Sequence, residues 1–238
     1  MTKKDWLEGC KQMIPVAVGY IPLGIAGGMA LQSAGFSTFG IFLMSLLVYA
    51  GAAQFMTASM AAAGATVPSI ILMTFFLNLR HLLMSSSISG YLKKKSYPFL
   101  LLFSHTLTDE AFGLNTHRFT TGNWSPEKGL AANILAYSSW VLSTVAGGMI
   151  GTTLHIHTAV VNYVLIAMFI CMLLEQFVSK AHLVVGIVAG ISAVILKALL
   201  QHNISLVIAA LIASFAGYLL DSRRQEKPEK EEAMQYDK

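Results

Sequence analysis

The sequence predicts an all-α integral membrane protein with about seven to eight transmembrane helices, because of its composition and its apolar runs. Of the 238 residues, 55% are hydrophobic and 12% are charged, whereas soluble domains contain about 25% charged residues. The apolar residues form eight runs, and a helix that spans a membrane needs about 17–25 residues. The runs are Ile14–Ala34, Phe39–Ala63, Ile70–Leu92, Phe99–Leu114, Leu130–Leu154, Val160–Val178, Leu183–Leu200 and Ile204–Leu220.

The fourth run, Phe99–Leu114, is shorter than the other seven and has only 16 residues. Its polar residues are Ser104, His105, Thr106, Thr108, Asp109 and Glu110. We therefore expect a tilted span, a broken helix or a re-entrant segment here, so that some helices of the protein are broken or re-entrant.

Charge divides the chain into a membrane domain, residues 1–221, and a tail, residues 222–238. The tail holds five basic and five acidic residues with few apolar ones, and we predict that it is disordered. The net charge of +4 fits loops that face a lipid bilayer, since the basic residues form no clustered patch for nucleic acid.

The positive-inside rule gives an orientation that depends on the fourth run. If this run crosses the membrane, eight basic residues share the side of the N-terminus and four lie on the other, so that the N-terminus is cytoplasmic. If the run is re-entrant, the N-terminus is outside. We prefer the first interpretation.

Two short repeats suggest an internal duplication. Ala26-Gly27-Gly28-Met29 recurs 120 residues later at 146–149, and Gln54-Phe55 recurs 122 residues later at 176–177. Secondary transporters often consist of two related halves. Chance gives the same pattern in a chain rich in Gly and Ala, and both interpretations remain open.

The first run contains Pro22 between Gly19 and Gly24. Proline removes a backbone donor, and the glycines soften the backbone. A helix broken here would present free N–H groups to a carboxylate. The alternative is a proline kink with close glycine packing, which is common in membrane helices.

Gln54 and Phe55 end the small-residue segment that begins at Ala50. The Gln54 amide can bind a polar ligand, and the small residues before it permit local unwinding. A glutamine that bridges neighbouring helices is an equally good interpretation. Phe55 is placed to line an apolar pocket.

Asn78, Arg80 and His81 form a polar cluster in the middle of the third run. Asn78 and His81 share a helix face. Arg80 can hold a substrate carboxylate or pair permanently with Asp109 or Glu110. His81 is either a proton-linked switch or a hydrogen-bonded core histidine.

His105, Asp109 and Glu110 give the fourth run its polar character. His105 and Asp109 are four residues apart and should face one another on a helix. Charge in hydrocarbon is expensive unless it lines an aqueous pathway. One acid could bind a substrate ammonium while the other carries a proton; alternatively, both acids neutralise Arg80 or lie at a helix mouth. We prefer the functional interpretation, since Arg80 needs only one acidic partner.

These clusters favour a transporter over an enzyme. The sequence has no nucleophile–base constellation and no Gly-x-x-x-x-Gly-Lys-Ser/Thr loop for ATP, so that any pumping would come from an ion gradient or from a partner. A passive channel-like pore for small polar solutes is the alternative. Two cysteines and an isolated His-x-His predict neither a disulfide framework nor a metal site, and no cofactor is expected.

Four motifs, taken in order, resemble the AzlC family. They are Gly19-Tyr20-Ile21-Pro22-Leu23-Gly24, Ala50-Gly51-Ala52-Ala53-Gln54-Phe55, Asn78-Leu79-Arg80-His81-Leu82-Leu83 and Leu107-Thr108-Asp109-Glu110-Ala111-Phe112. The resemblance implies the large subunit of a bacterial plasma-membrane exporter of branched-chain and other apolar amino acids, which pairs with a small AzlD-like membrane subunit. Met84 stands where this family often has an aromatic residue.

Glycines spaced four apart suggest two close helix contacts. Gly24 and Gly28 lie in the first run, and Gly147 and Gly151 in the fifth. Such faces let another helix approach closely. We expect one face to join the two halves of the chain and another to accept the partner subunit.

Overall fold

The computed structural model describes residues 3–122, 124–153, 163, 166, 167, 170, 173, 174, 180–200, 205 and 208–219. These residues are helical apart from short connections, which confirms the predicted all-α class. The chain divides into two compact units, Met1–Ala167 and Met168–Lys238. The predicted disordered tail, residues 222–238, and the repeated pair Gln176-Phe177 lie outside the described residues.

The helices are numbered in chain order. In the first unit they are α1 (Lys3–Ser33), α2 (Thr38–Leu47), α3 (Gly51–Ala62), α4 (Val67–Ile88) with a 3₁₀ turn (Ser89–Leu92), α5 (Tyr97–His105), α6 (Asp109–Thr120) and α7 (Pro126–Gly151). In the second unit the described helices are α8 (Lys180–Leu200) and α9 (Ile208–Leu219).

Four of the described helices are long and apolar enough to cross a membrane: α1, α4 with its 3₁₀ turn, α7 and the segment His182–Leu200 of α8. The second and fourth runs each form two helices of only 9 to 12 residues. At 1.5 Å per residue each is about 14–18 Å long, half of a hydrocarbon core of about 30 Å. The expectation that the second run is one spanning helix is therefore wrong. Of the three alternatives for the fourth run, the single tilted span is wrong, since its helix is interrupted between His105 and Asp109.

The first run, in contrast, is unbroken. Helix α1 continues through Pro15 and Pro22, so the alternative of a half-helix end at Pro22 is wrong. Pro22 lies on the exposed side of α1. Gly24 packs against α7, where an added Cβ would lie 2.8 Å from the Cβ of Ser143. The close contact with α7 supports α1 on both sides of the proline.

Helices α1 and α7 are parallel along their whole contact. The Sγ atom of Cys10 lies 3.7 Å from the Ala131 carbonyl oxygen, and the hydroxyl of Ser139 donates to the Ala17 carbonyl at 2.6 Å. These contacts join residues 121 and 122 positions apart. A nearly constant separation in sequence means that both helices run in the same direction.

The two Ala-Gly-Gly-Met segments meet at this interface. A Cβ on Gly28 would lie 2.7 Å from the Gly148 nitrogen, and one on Gly147 would lie 2.8 Å from the Ile25 Cα. Gly151 packs against Gln32 in the same way. Both predicted glycine faces therefore join α1 to α7, and the expectation that one of them accepts a partner is wrong. Two parallel repeats would give this arrangement.

Helix α2 runs antiparallel to α7. Ile41, near the start of α2, packs against Gly148, where an added Cβ would lie 2.8 Å from the Ile41 side chain. One turn further on, the Ser45 hydroxyl is 2.7 Å from that of Thr144. Helix α2 therefore descends from the C-terminal end of α7 towards its middle.

Helix α3 returns to the end from which α2 came. Its first residue, Gly51, faces the ring of Trp140, and Trp140 is level with Tyr20 of α1 at a ring distance of 5.3 Å. Phe55, which is 1% exposed, packs against Gly27, nearer the C-terminus of α1. Helices α2 and α3 thus form a hairpin that reaches the middle of the unit and turns back.

Helix α4 crosses to the opposite end of the unit, where α5 and α6 form a second hairpin. In the 3₁₀ turn after α4, Tyr91 stacks on Phe119 near the end of α6 at a ring distance of 4.8 Å. Lys95, before α5, pairs with Glu127 in the first turn of α7. Helix α5 starts at this end and ends in the middle, where the His105 ring lies 5.7 Å from that of Tyr137.

Helix α6 completes the second hairpin. Glu110 in its first turn accepts a hydrogen bond from Tyr20, and Arg118 in its last turn donates to Gln12. Since Gln12 lies nearer the N-terminus of α1 than Tyr20, α6 returns to the end from which α5 came. The two hairpins therefore enter the first unit from opposite ends.

The basic residues of the first unit lie at one end, which we call the basic end. Apart from Arg80, they are Lys3, Lys4, Lys11, Lys93, Lys94, Lys95, Arg118 and Lys128. The other end, formed by residues 34–37, 63–66 and 152–153, carries no charged residue. We call it the neutral end.

We predict that Gly28→Leu destabilises the protein strongly, because a side chain there meets backbone atoms of α7 that cannot move aside. Overpacking usually costs about 1–3 kcal/mol, and a backbone clash exceeds that range. Gly19→Leu is the matched control, since an added Cβ at Gly19 meets nothing within 4 Å. Thermal melting in detergent would measure both variants, and equal melting temperatures would contradict the close α1–α7 packing.

Candidate functional site

The tips of the two hairpins meet in the middle of the first unit. The Leu46 carbonyl, in the last turn of α2, accepts hydrogen bonds from His105 Nε2 at 2.9 Å and from the Tyr137 hydroxyl at 2.7 Å. Carbonyls in the last turn of a helix lack intrahelical partners. His105 therefore satisfies a group that the helix break leaves free, and it joins the tip of α5 to the tip of α2.

Tyr49 makes the turn between α2 and α3. Its φ angle of 43° is in the left-handed region, which is rare for a residue with a side chain. Its ring packs edge-on against Tyr137 at 4.6 Å, and the residue is 2% exposed. Its hydroxyl nevertheless has no hydrogen-bond partner among the described residues.

Gln54 joins three helices behind this turn. Its Nε2 donates to the Ser45 hydroxyl at 2.7 Å, and its Oε1 accepts from Trp140 Nε1 at 2.6 Å. The Ser45 hydroxyl is in turn bonded to Thr144. Gln54 and Ser45 are fully buried, so this network fixes α2 and α3 against α7 in the arrangement expected for a bridging glutamine.

The break between α5 and α6 differs from the one between α2 and α3 in having polar side chains at a helix start, because Thr108 caps the N-terminus of α6. Its hydroxyl accepts a hydrogen bond from the Ala111 nitrogen, and Asp109 and Glu110 lie in the first turn. The Tyr20 hydroxyl donates to Glu110 at 2.5 Å and lies 2.9 Å from the Thr108 hydroxyl. Acidic residues are favoured at a helix N-terminus by the helix dipole.

Arg80 and His81 hold α4 against this break. Arg80 Nη1 lies 2.8 Å from Asp109 Oδ2, so the predicted pairing of Arg80 with one of the two acids is found at Asp109. His81 Nδ1 is 3.1 Å from the Leu107 carbonyl oxygen. Since a carbonyl only accepts, Nδ1 carries the proton, and Nε2 of a neutral ring is left with its lone pair.

Three buried atoms of this cluster have no hydrogen-bond partner among the described residues: Asn78 Oδ1, Arg80 Nε and His81 Nε2. Buried polar atoms are usually satisfied. The predicted polar cluster is therefore assembled, with capacity for water or a ligand beyond the ion pair.

The expectation that His105 and Asp109 face one another on a helix is wrong. The helix ends at His105 and a new one begins at Asp109. His105 turns to Leu46 and Asp109 to Arg80. The break thus separates two side chains that a continuous helix would have placed together.

Four aromatic residues of the centre were not among the predicted site residues: Tyr20, Tyr49, Tyr137 and Trp140. Each was visible as a polar aromatic side chain inside an apolar run, where its O–H or N–H needs a partner. Tyr20 also lies within the motif around Pro22. A search limited to charged and amide residues overlooks this signal.

Comparison with known proteins identifies related sequences. The family model described as AzlC protein matches residues 15–154. The inner membrane protein YgaZ of Escherichia coli is 31% identical over 199 residues, which cover 79% of this chain and 81% of that protein. No solved structure matches.

Two further relatives extend this similarity. The branched-chain amino acid transport protein AzlC of Bacillus subtilis is 29% identical over 70% of this chain and 66% of its own length. An uncharacterized membrane protein of Archaeoglobus fulgidus is 30% identical over 86% of this chain and 90% of its own length.

We predict a strong energetic coupling between Arg80 and Asp109. Arg80→Gln and Asp109→Asn should each destabilise the protein, because each leaves a charge unpaired in a poorly hydrated place. The double variant should lose less than the sum, with a coupling energy of about 1–3 kcal/mol in a double-mutant cycle of unfolding.

The pair formed by Lys128 and Glu8 is the control for this cycle. Its atoms are 2.9 Å apart, and its side chains are 18% (Lys128) and 42% (Glu8) exposed, against 27% and 31% for Arg80 and Asp109. The control pair differs in its place, because it lies at the basic end of the unit, where we expect its exposed atoms to meet water. Solvent-exposed pairs contribute at most about 1 kcal/mol. A coupling at Arg80 and Asp109 no larger than at this control would show that the central pair is well hydrated.

Proposed function

The chain belongs to the AzlC family of membrane transport proteins, and we propose that it is the large subunit of a secondary transporter that exports branched-chain or other apolar amino acids across the plasma membrane. The name of the Bacillus subtilis relative supports the substrate class. Export, as the direction of transport, is carried over from the family resemblance of the four motifs.

The meeting of the two hairpins is the observation that carries this proposal. Each hairpin covers about half of the membrane thickness and enters from its own end. Their tips place polar side chains halfway along α1 and α7. Transporters bind substrates near the midplane, between discontinuous helices, and open the site to each side in turn.

An amino acid needs a carboxylate site, an ammonium site and apolar walls. The candidate residues for these roles and for coupling are Pro22, Gly24, Gln54, Phe55, Asn78, Arg80, His81, His105, Asp109 and Glu110. We infer from their contacts that Gln54, Phe55 and His105 position the hairpins and that Gly24 packs α1 against α7. Arg80 and Asp109 fix α4 to α6, and Glu110 is left to act on a ligand.

An ion gradient would drive export, since the sequence has no nucleotide-binding loop. A passive pore is the second candidate, because a polar centre between two hairpins also suits a channel.

A small AzlD-like membrane subunit would complete the transporter. The glycine faces are used within the chain, so this subunit would bind elsewhere on the membrane-facing surface.

The charge distribution supports an orientation with the N-terminus in the cytoplasm. All eight basic residues of the first unit other than Arg80 lie at the basic end, and the positive-inside rule places such an end in the cytoplasm. The cytoplasmic N-terminus agrees with the orientation preferred from the sequence. The premise of that preference, that the fourth run crosses the membrane, is wrong, because α5 and α6 form a hairpin that returns to its own end.

We expect cells that express the chain together with an AzlD-like subunit to release labelled leucine, isoleucine, valine and methionine faster than cells with an empty vector. Lysine and glutamate should show no difference. The host should lack related exporters, and either subunit alone is the control for the partner. Dissipation of the proton gradient tests the coupling, because net flux through a passive pore would persist. Unchanged release of every amino acid would contradict the proposal.

Cysteine labelling tests the orientation. After Cys10 and Cys171 are replaced by serine, Ala63→Cys at the neutral end should react with a membrane-impermeant maleimide in intact cells. Lys94→Cys at the basic end should react only after permeabilisation. The reverse pattern would place the N-terminus outside.

A further inference from the structure

Glu110 differs from its neighbour Asp109 in having no cationic partner among the described residues. Asp109 is paired with Arg80, whereas the described polar contact of the Glu110 carboxylate is the Tyr20 hydroxyl. Glu110 is also exposed on the surface of the first unit, so that a ligand can reach it. A carboxylate at this depth persists where it serves a polar pathway or site.

Tyr49 supplies a second and independent observation. It is 2% exposed, its hydroxyl has no described hydrogen-bond partner, and its φ angle is 43°. A buried hydroxyl is normally bonded, and a strained backbone is retained where the surrounding structure or function requires it. The turn therefore places an unsatisfied hydroxyl in the polar centre at a conformational cost.

Glu110 and Tyr49 both lie at the helix breaks in the middle of the first unit. Tyr20 connects them, since its hydroxyl donates to Glu110 and its ring lies 5.3 Å from that of Trp140. The Trp140 ring in turn packs against Gly51, two residues after Tyr49. The Tyr49 ring also packs against Tyr137. The middle of the first unit thus holds the Glu110 carboxylate and the phenols of Tyr20, Tyr49 and Tyr137. These electron-rich groups favour a cation over an anion.

We propose that Tyr20, Tyr49 and Glu110 form an ammonium site that binds the α-ammonium group of the amino-acid substrate. This inference rests on the proposed function. An ammonium group has donors for the Glu110 carboxylate and for the Tyr49 oxygen, and aromatic ring faces add cation–π attraction. Ca²⁺ needs six to eight oxygen ligands and Mg²⁺ an octahedral set, which one carboxylate and two phenols do not supply.

The test compares leucine with two analogues that each lack one charged group. Isopentylamine keeps the ammonium group, and 4-methylpentanoate keeps the carboxylate. Binding to the purified full-length protein, with its small subunit if the two co-purify, is measured for wild type, Glu110→Gln and Tyr49→Phe. Glu110→Gln should weaken leucine and isopentylamine at least tenfold, and Tyr49→Phe should weaken them about three- to tenfold. Both variants should leave 4-methylpentanoate within twofold.

Matched controls lie at the basic end of the first unit. Glu8→Gln removes a carboxylate and Tyr91→Phe removes a hydroxyl, and both should leave all three affinities unchanged. A purely structural effect of Glu110→Gln would weaken all three ligands together and would overturn the proposal. Glu110→Asp keeps the charge and should recover part of the affinity, even if Glu110→Gln folds poorly.

Failure of this inference differs from failure of the proposed function. Wild-type protein that neither binds nor exports any amino acid would overturn both. Wild-type transport with unchanged leucine affinity in Glu110→Gln would overturn the ammonium site alone. Another outcome is that Glu110→Gln keeps its leucine affinity but transports slowly and without dependence on Na⁺ or on pH. That result would overturn the ammonium site and assign Glu110 to a coupling ion instead.

Discussion

The structure depends on how it satisfies the backbone groups that two helix breaks set free inside an apolar unit. Lipid offers no hydrogen bonds, so irregular backbone at this depth needs protein or water partners. His105 and Tyr137 supply them for the Leu46 carbonyl, and His81 supplies one for Leu107. The polar side chains gather in the middle of the unit because the breaks are there.

The same requirement separates the roles of the two acidic residues. A continuous helix would place Asp109 and Glu110 on different faces without distinguishing them energetically. The break puts both in the first turn of α6, next to the helix dipole, and turns Asp109 towards Arg80 and Glu110 towards Tyr20. Asp109 stabilises the contact between α4 and α6, whereas Glu110 bonds to Tyr20 and is the acid that we propose for the ligand.

Sequence patterns predicted the helical membrane class and the pairing of Arg80 with an acid, and they marked the fourth run as irregular without deciding its path. They did not predict that the second run is a hairpin, because no proline marks its turn and Tyr49 adopts the left-handed backbone itself. Thr108 followed by Asp109 and Glu110 is a helix-start signal, and it would have located the second break. A break at Pro22 was only one of two interpretations of the sequence, and the packing of Gly24 against α7 agrees with the other, in which α1 continues through the proline.

The central claim is that the second run turns back as the hairpin of α2 and α3, which lets the two hairpins enter from opposite ends, and one distance tests this turn directly. Spin labels at Phe39→Cys and Ala63→Cys, which are exposed near the start of α2 and just after α3, can be measured by pulsed electron paramagnetic resonance in nanodiscs. The hairpin keeps both labels at the neutral end, and we predict a distance well below about 30 Å, the thickness of the hydrocarbon core. A single spanning helix would separate the labels by about 36 Å, and that result would contradict the account.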